Sequence, residues 1–229
     1  MRIGILQPGY LPWLGFFEQI YKSDVFVIYD DVQYDKHGWR NRNRIKTANG
    51  IQWLTVPVLS SGMNQPLVRD TRINNSTNWR KKHLASITAN YSRALYFNEY
   101  INLFQEVLNR EWDYLFDLDM TFIELLCRAL GIKRKVVCSS ELDVSGDKVT
   151  RLINICKHFG ADVFYEGQAG KAYLDEELFK SEGIIIEYQD YQHPTYQQLY
   201  GDFEPYLSVI DLLFNEGPDS LALLVGNYI

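Results

Sequence analysis

Short apolar runs alternate with amphipathic stretches along most of the chain. Ile3–Leu6 and Val25–Tyr29 are continuous apolar runs of strand length, the pattern of parallel strands covered on both faces. Lys135–Cys138, Asp162–Tyr165 and Ile184–Tyr188 read as further short strands. Between the first two lies a Gly/Pro/aromatic turn followed by a short helix over Glu18–Ser23. Arg40–Lys46 alternates basic residues with Asn and is expected to be extended. Ile51–Val58 is β-rich, and Pro57 places it at an edge or a strand end. Asn78 is positioned to cap a helix over Trp79–Tyr91. From Leu103 to Leu115 the apolar positions keep the helical period. Thr121-x-x-Glu124 resembles a capping box for a helix that Gly131 stops. Asp147 begins a helix ended by Gly160, Ala172–Lys180 forms another, and Leu207–Phe214 closes as an amphipathic segment.

The order βαβ, helical insertion, βαβαβ predicts an α/β protein with an open, mostly parallel sheet and helices on both faces. The expected organisation is one domain over residues 1–229 with a helical insertion at about 76–132. Ser60–Asn75, polar and turn-rich, is expected to be a loop over the site.

Composition narrows the function classes. A net charge of −6 argues against a general nucleic-acid binder, which needs basic surface. No apolar run approaches the roughly 20 residues of a membrane helix, and no signal peptide precedes Pro8, so a cytoplasmic protein is expected. Cys127, Cys138 and Cys156 match no zinc or redox spacing and are expected to be free thiols. No metal-ligand pattern, nucleophile elbow or GxGxxG is present.

In open α/β sheets ligands lie beyond the carboxyl ends of the strands, so the loops there are the candidates. The turn Gln7–Gly15 leads into a helix whose free N–H groups suit an anion. Gln7 offers an amide and Tyr10 and Trp13 offer stacking surfaces; the alternative is a tight turn plugged by aromatics. Asp30 and Asp31 end the second strand and could accept ribose hydroxyls, hold Mg²⁺ through water, or orient an amine. Turn capping would need only one of them. If the Arg40–Lys46 segment is extended, Arg40, Arg42, Arg44 and Lys46 share a face as a phosphate clamp, or as a solvated charged strand. The loop starting Tyr165-Glu166-Gly167 lacks the P-loop pattern but with Lys171 could cradle an anion. His193 follows the last strand, with Asp190 to orient it, and is a candidate acid or base. His37 and His158 are expected at the surface. The same loops add Gln33, Tyr34, Asn41, Tyr173 and Gln189 as substrate-binding candidates.

Gln7-Pro-x-Tyr-Leu-Pro-Trp-x-Gly15, Asp30-Asp31-Val-Gln-Tyr34, Asn41-Arg-Asn-Arg-Ile-Lys46, Trp79-Arg-Lys-Lys-His83, Gly167-x-x-Gly-Lys-x-Tyr-Leu-Asp175, Tyr188-Gln-Asp-Tyr-x-His-Pro194 and Leu207-Ser-x-Ile-Asp-Leu-Leu-Phe-Asn215 together resemble the WbqC-like family over nearly the whole chain. The resemblance implies a setting in bacterial O-antigen and surface-polysaccharide synthesis. The activity it implies is transfer of glycine or a similar amino acid to an amino sugar. A more distant likeness, to the HxGH turn of nucleotidylyltransferases, implies a Rossmann-like (HUP) sheet. Here Trp13 and Phe16 stand where that pattern has histidines, which weighs against ATP chemistry.

The function expected is therefore an amide-forming transferase or ligase acting on a nucleotide-linked amino sugar and an amino acid. His193, Asp30 or Asp31 would take the amine proton, and Arg42, Arg44 and Lys171 would bind phosphates. ATP and Mg²⁺ are the cofactors such chemistry would draw on, and a homo-oligomer is compatible with the sequence. The alternatives are a non-catalytic module for nucleotide sugars and nucleotidyl transfer to a sugar phosphate.

Overall fold

A computed structural model describes residues 1–36, 38–59 and 66–226. His37 and residues 60–65 of the expected site loop lie outside these. The strands are β1 (Arg2–Leu6), β2 (Val25–Ile28), β3 (Arg42–Thr47), β4 (Gly50–Thr55), β5 (Lys135–Cys138), β6 (Val163–Glu166) and β7 (Ile185–Tyr188). The helices are α1 (Leu14–Lys22), α2 (Trp79–Tyr91), α3 (Phe97–Leu108), α4 (Leu115–Leu130), α5 (Lys148–His158), α6 (Glu176–Ser181), α7 (Val209–Glu216) and α8 (Ser220–Val225).

Five strands form one parallel sheet in the order β5-β2-β1-β6-β7. The chain moves outward from β1 through β2 to β5, then returns to β6 on the other side of β1. The direction of winding reverses between β1 and β6, where a doubly wound sheet opens a crevice. This is the α/β, Rossmann-like fold expected from the alternation of strand and helix.

Both faces are covered, as the continuous apolar runs require. Ile3, Ile5, Val25 and Val27 point to the layer of α5 and α6, where they meet Leu152, Cys156 and Phe179. Phe26 and Ile28 point the other way, with the two-residue period of a strand, into a larger core with α1, the β3–β4 hairpin, α2–α4, α7 and α8. Gly4 faces that larger side. A Cβ there would come within 2.7 Å of Ser23 Oγ and 2.8 Å of the Phe26 ring, so glycine lets the end of α1 lie against the sheet.

Several local readings change. The helical period through Leu103–Leu115 belongs to two helices, α3 and α4, broken at residues 109–114. The apolar positions of both helices enter the same core, so their spacing hides the break. Thr121 is not a cap: it lies inside α4, and its Oγ1 donates to the Asp117 carbonyl one turn back at 2.7 Å. The first helix starts earlier than expected, at Leu14. The β3–β4 hairpin precedes the three helices that fill the 76–132 segment, and α8 follows the last expected element. Gly131 does end α4, in the left-handed conformation. The three cysteines are free, two of them buried.

Among the described residues no helix is long and apolar enough to cross a membrane.

Candidate functional site

A cavity of about 680 Å³ lies at the carboxyl rim of the sheet, beside the β1/β6 crevice. Gln7 enters it from the end of β1, Tyr29, Asp31 and Gln33 from the segment after β2, and Glu166 from the end of β6. Tyr173 adds a wall, Arg40 reaches in ahead of the hairpin, and Gly146, Lys148 and Arg151 come from the start of α5.

The two aspartates part ways. Asp30 turns inward and is saturated: Ser140 Oγ donates to Oδ2 at 2.6 Å, the Ser140 N–H to Oδ1 at 3.0 Å, and Ser139 Oγ lies 3.0 Å from Oδ1. It ties the end of β2 to the 3-10 turn after β5 and is not a cavity group. Asp31 faces the cavity, 2.6 Å from Ser139 Oγ and ion-paired with Arg151. Burial opposes ionisation of Asp31, but the Arg151 pair and the Ser139 bond outweigh it and hold the carboxyl below its usual range. The Arg151 guanidinium also lies 5.4 Å over the Tyr29 ring.

Glu166 behaves in the opposite sense. It is only 6% exposed, and burial pushes its pKa up to about 7, against the Gly167 N–H, the Tyr173 hydroxyl and the Arg40 charge, which pull it down. Gly170 leaves room for its methylene, because a Cβ there would overlap Glu166 Cγ.

Among the described residues, three cations line the cavity. The Arg40 guanidinium donates to the Gln7 carbonyl at 3.2 Å, and burial lowers its pKa although Asp35, Asp119 and nearby tyrosines favour its charge. Among the described residues it has no carboxylate within ion-pair distance, and neither has the exposed Lys148. Arg151 is held by Asp31. Lys148 opens α5, whose first-turn N–H groups have no intrahelical acceptors and whose dipole favours an anion. Gly146 shapes this approach. Its φ of +133° and a Cβ contact of 2.9 Å with the Arg151 backbone exclude a side chain.

Sequence-predicted residues are thus divided. Gln7, Asp31, Gln33, Glu166 and Tyr173 line one cavity. Gly167 follows Glu166 and starts the 3-10 turn there. His193 does not line the cavity. It lies in an aromatic nest, with ring centroids of Tyr191, Tyr196, Phe203 and Tyr206 at 5.5–6.4 Å. Its Nδ1 is 3.0 Å from the Pro194 carbonyl, and burial lowers its pKa. Asp190 accepts from Gln192 at 3.0 Å and makes no bond to it. Trp13 packs on the edge of the same nest, against Tyr191 and Tyr206.

Other candidates have structural partners. Tyr10 is fully buried, its hydroxyl 2.9 Å from His83 Nδ1, and Tyr34 is buried and does not line the cavity. Asn41 donates to the Val56 carbonyl at 2.8 Å. Arg42 and Arg44 share the outer face of the hairpin, as alternation predicts, but their guanidinium groups stack on Trp53 and Trp39. Lys46 is buried and donates to Gln198 and to the Asp202 carbonyl. Lys171 lies over the Tyr188 ring at 5.0 Å. Gln189 donates to the Gly15 carbonyl and to Glu18 in the interior. The ribbon thus supplies the cavity through Arg40 alone. Lys148 and Arg151 were missed because Asp147 already explained that segment as a helix start. The available signal was Gly146-Asp147-Lys148 following a strand.

The β1–α1 turn does not fit the HxGH role. Phe16 is buried between Phe17 and Phe26, and the Trp13 ring covers Gly15. Among the described residues no cluster of His, Cys, Asp or Glu could hold a metal ion. With Asp30 saturated and Asp31 paired, this rim does not fit a resident Mg²⁺.

Residues 7–223 match the model of the WbqC-like protein family. The chain is also 38% identical over 221 residues to the uncharacterized protein Rv1507c of Mycobacterium tuberculosis, covering 96% of this chain and 95% of that one. No solved structure matches it significantly. With the family model spanning nearly its whole length, the chain belongs to the WbqC-like family.

Proposed function

We propose that the rim cavity takes a nucleotide-linked amino sugar and that the protein transfers an activated aminoacyl group to its amine, forming an amide. The observation that carries this reading is Glu166. Its carboxyl has a pKa of about 7 in a cavity that also presents Arg40, Lys148 and Arg151. A protonated amine must lose a proton before it attacks, and a base that titrates near neutrality suits that transfer. Glu166 accepts the first proton, and the nitrogen lone pair forms the new C–N bond. The leaving group departs with the electron pair of the broken acyl bond, and the second nitrogen proton follows it. Lys148, Arg40 and the first turn of α5 hold the phosphates, while Arg151 stays on Asp31 and keeps that carboxylate charged. Gln7, Gln33 and Tyr173 offer amide and hydroxyl groups to the sugar.

Because the β1–α1 turn lacks imidazoles, the acyl group is taken to arrive already activated, as an adenylate or a thioester. The same observation favours a second reading, a module that binds nucleotide sugars without turnover. Incubation of the protein with glycyl thioester or glycyl adenylate and uridine- or thymidine-diphosphate-linked amino sugars separates them. An amide product by mass spectrometry is expected. Saturable binding of the nucleotide sugar with no amide from any donor overturns the transferase reading in favour of the module. Pyrophosphate release that depends on a sugar phosphate would replace both with nucleotidyl transfer.

A further inference from the structure

Among the described residues two acids line the rim cavity, Glu166 and Asp31, and the proposed transfer gives a task only to the first. Asp31 is nevertheless the more closely held of the two. Arg151 pairs with it, Ser139 Oγ donates to it at 2.6 Å, and its own N–H is a third donor. Arg151 in turn rests over the ring of Tyr29, another group of the cavity wall, at 5.4 Å. Fastening β2 to the turn after β5 does not explain this, because Asp30 already does so through Ser140. A carboxylate accepts about four hydrogen bonds, so three donors leave Asp31 one acceptor position. Arg151 also balances its charge. An ammonium group or a metal ion placed there would face a guanidinium across the carboxylate, whereas a hydroxyl donates without adding charge.

Position on the sheet says which hydroxyl. β2, β1 and β6 are neighbours in that order, and the segments at their ends bring Asp31, Gln7 and Glu166 into one cavity. With adjacent strands about 4.8 Å apart, the strand ends that supply the two acids are separated by about 10 Å. Cations accompany this row. Arg40 is bound to the Gln7 carbonyl, and Lys148 precedes Arg151 by one turn on the same side of α5. A nucleotide-linked sugar carries its groups in matching order, with ribose first, then phosphates, then the sugar. If the amine is at Glu166, the phosphates meet Arg40 and Lys148 and the ribose reaches Asp31. The reverse orientation would bring the ammonium group up to Arg151. In doubly wound sheets an acid following the second strand is well placed for the ribose 2′-hydroxyl.

We propose that Asp31 accepts the 2′-hydroxyl of a ribose, so that the cavity selects ribonucleoside over deoxyribonucleoside diphosphates and holds the nucleoside at its β2 end. This names the substrate class of the transferase reading and rests on that reading for the amino sugar at Glu166. Uridine-linked amino sugars are then substrates, and thymidine-linked ones, which lack the hydroxyl, are not. It also gives the Arg151 pair a purpose, since an ionised and immobile carboxylate is a fixed acceptor.

Binding tests this without any turnover. Uridine diphosphate and 2′-deoxyuridine diphosphate differ by one hydroxyl, and calorimetric titration of the whole protein with each measures the preference. Uridine diphosphate is expected to bind at least about tenfold tighter, as for a hydrogen bond to a charged acceptor. In Asp31→Ala, shown by its melting curve to be folded, that preference should be lost. The ratio is the readout because removing Asp31 also releases Arg151, which changes both affinities together. Equal affinity in the unaltered protein overturns the ribose seat, whether or not the variant folds, and leaves the transferase reading to the amide assay. A preference that persists in folded Asp31→Ala overturns it as well. A preference that depends on Asp31, with no amide from any donor, retains the seat and removes the transferase. Binding of neither nucleotide overturns both.

Discussion

The rim cavity and the nest around His193 both combine titratable groups with aromatic rings, and both follow strand ends. They differ in what the ionisable groups meet. Around the cavity, Asp31 has a cation, Glu166 has the Gly167 N–H and the Tyr173 hydroxyl beside it, and among the described residues Arg40 and Lys148 have no carboxylate within ion-pair distance. In the nest, His193 meets Tyr191, Tyr196, Phe203 and Tyr206, and its buried Nε2 has no hydrogen-bond partner among the described residues. The cause is topological. Strand ends beside the reversal of winding stay open, because the connections leaving β1 and β6 diverge. The chain after the edge strand β7 instead folds back toward α1 and the hairpin, where Ser208 pairs with Trp13 and its N–H donates to the Arg44 carbonyl. It carries His193 with it. A histidine after a strand is therefore a weaker pointer than a carboxylate at the winding reversal.

The sharpest way to break this contrast is Glu166→Gln. Loss of a general base costs about 10²–10⁴-fold in rate, and kcat for amide formation is expected to fall in that range while the protein stays folded. In the unaltered protein the rate should rise with pH through about 7 as Glu166 ionises. Stability runs the other way. The folded-state pKa lies above the unfolded value of 4.5, so the contribution of Glu166 is complete below pH 4.5 and is lost as pH rises toward 7. Urea unfolding between pH 4.5 and 7 should show a decline that Glu166→Gln flattens. A rate that ignores both the substitution and pH would leave the cavity no better placed than the nest.

Lys148→Ala comes next. Removing one charge-assisted contact to a phosphate costs about 1.5–3 kcal/mol, so nucleotide-sugar affinity by calorimetry is expected to fall about tenfold or more. Unchanged affinity would move the phosphate away from α5. The smallest effect is expected from His193→Phe, which keeps an aromatic ring in the nest. Turnover and its pH profile should stay within about twofold, and a large loss of kcat at constant stability would reverse the comparison.

The sheet was legible because strands covered on both faces leave continuous apolar runs, and β1 and β2 show them. That Gln7, Asp31, Gln33 and Glu166 line one cavity was legible because strand ends gather at one rim. Other groups were not. Alternation placed Arg42 and Arg44 on one face, but nothing local says that this face belongs to a separate hairpin stacked on Trp39 and Trp53. Asp30 and Asp31 are adjacent and chemically equal, and only the position of Ser140 and Arg151, more than a hundred residues away, separates their roles.

Gly4 shows how far the cavity's shape reaches into the fold. It sits about 10 Å of extended chain before Gln7 and touches nothing in the site, yet it sets how closely the end of α1 can approach the sheet. Even a methyl group there would act as a wedge, and tilting α1 would drag the turn that begins with Gln7. The tolerance of the rim to change is thus governed partly by a position whose whole contribution is the atom it lacks.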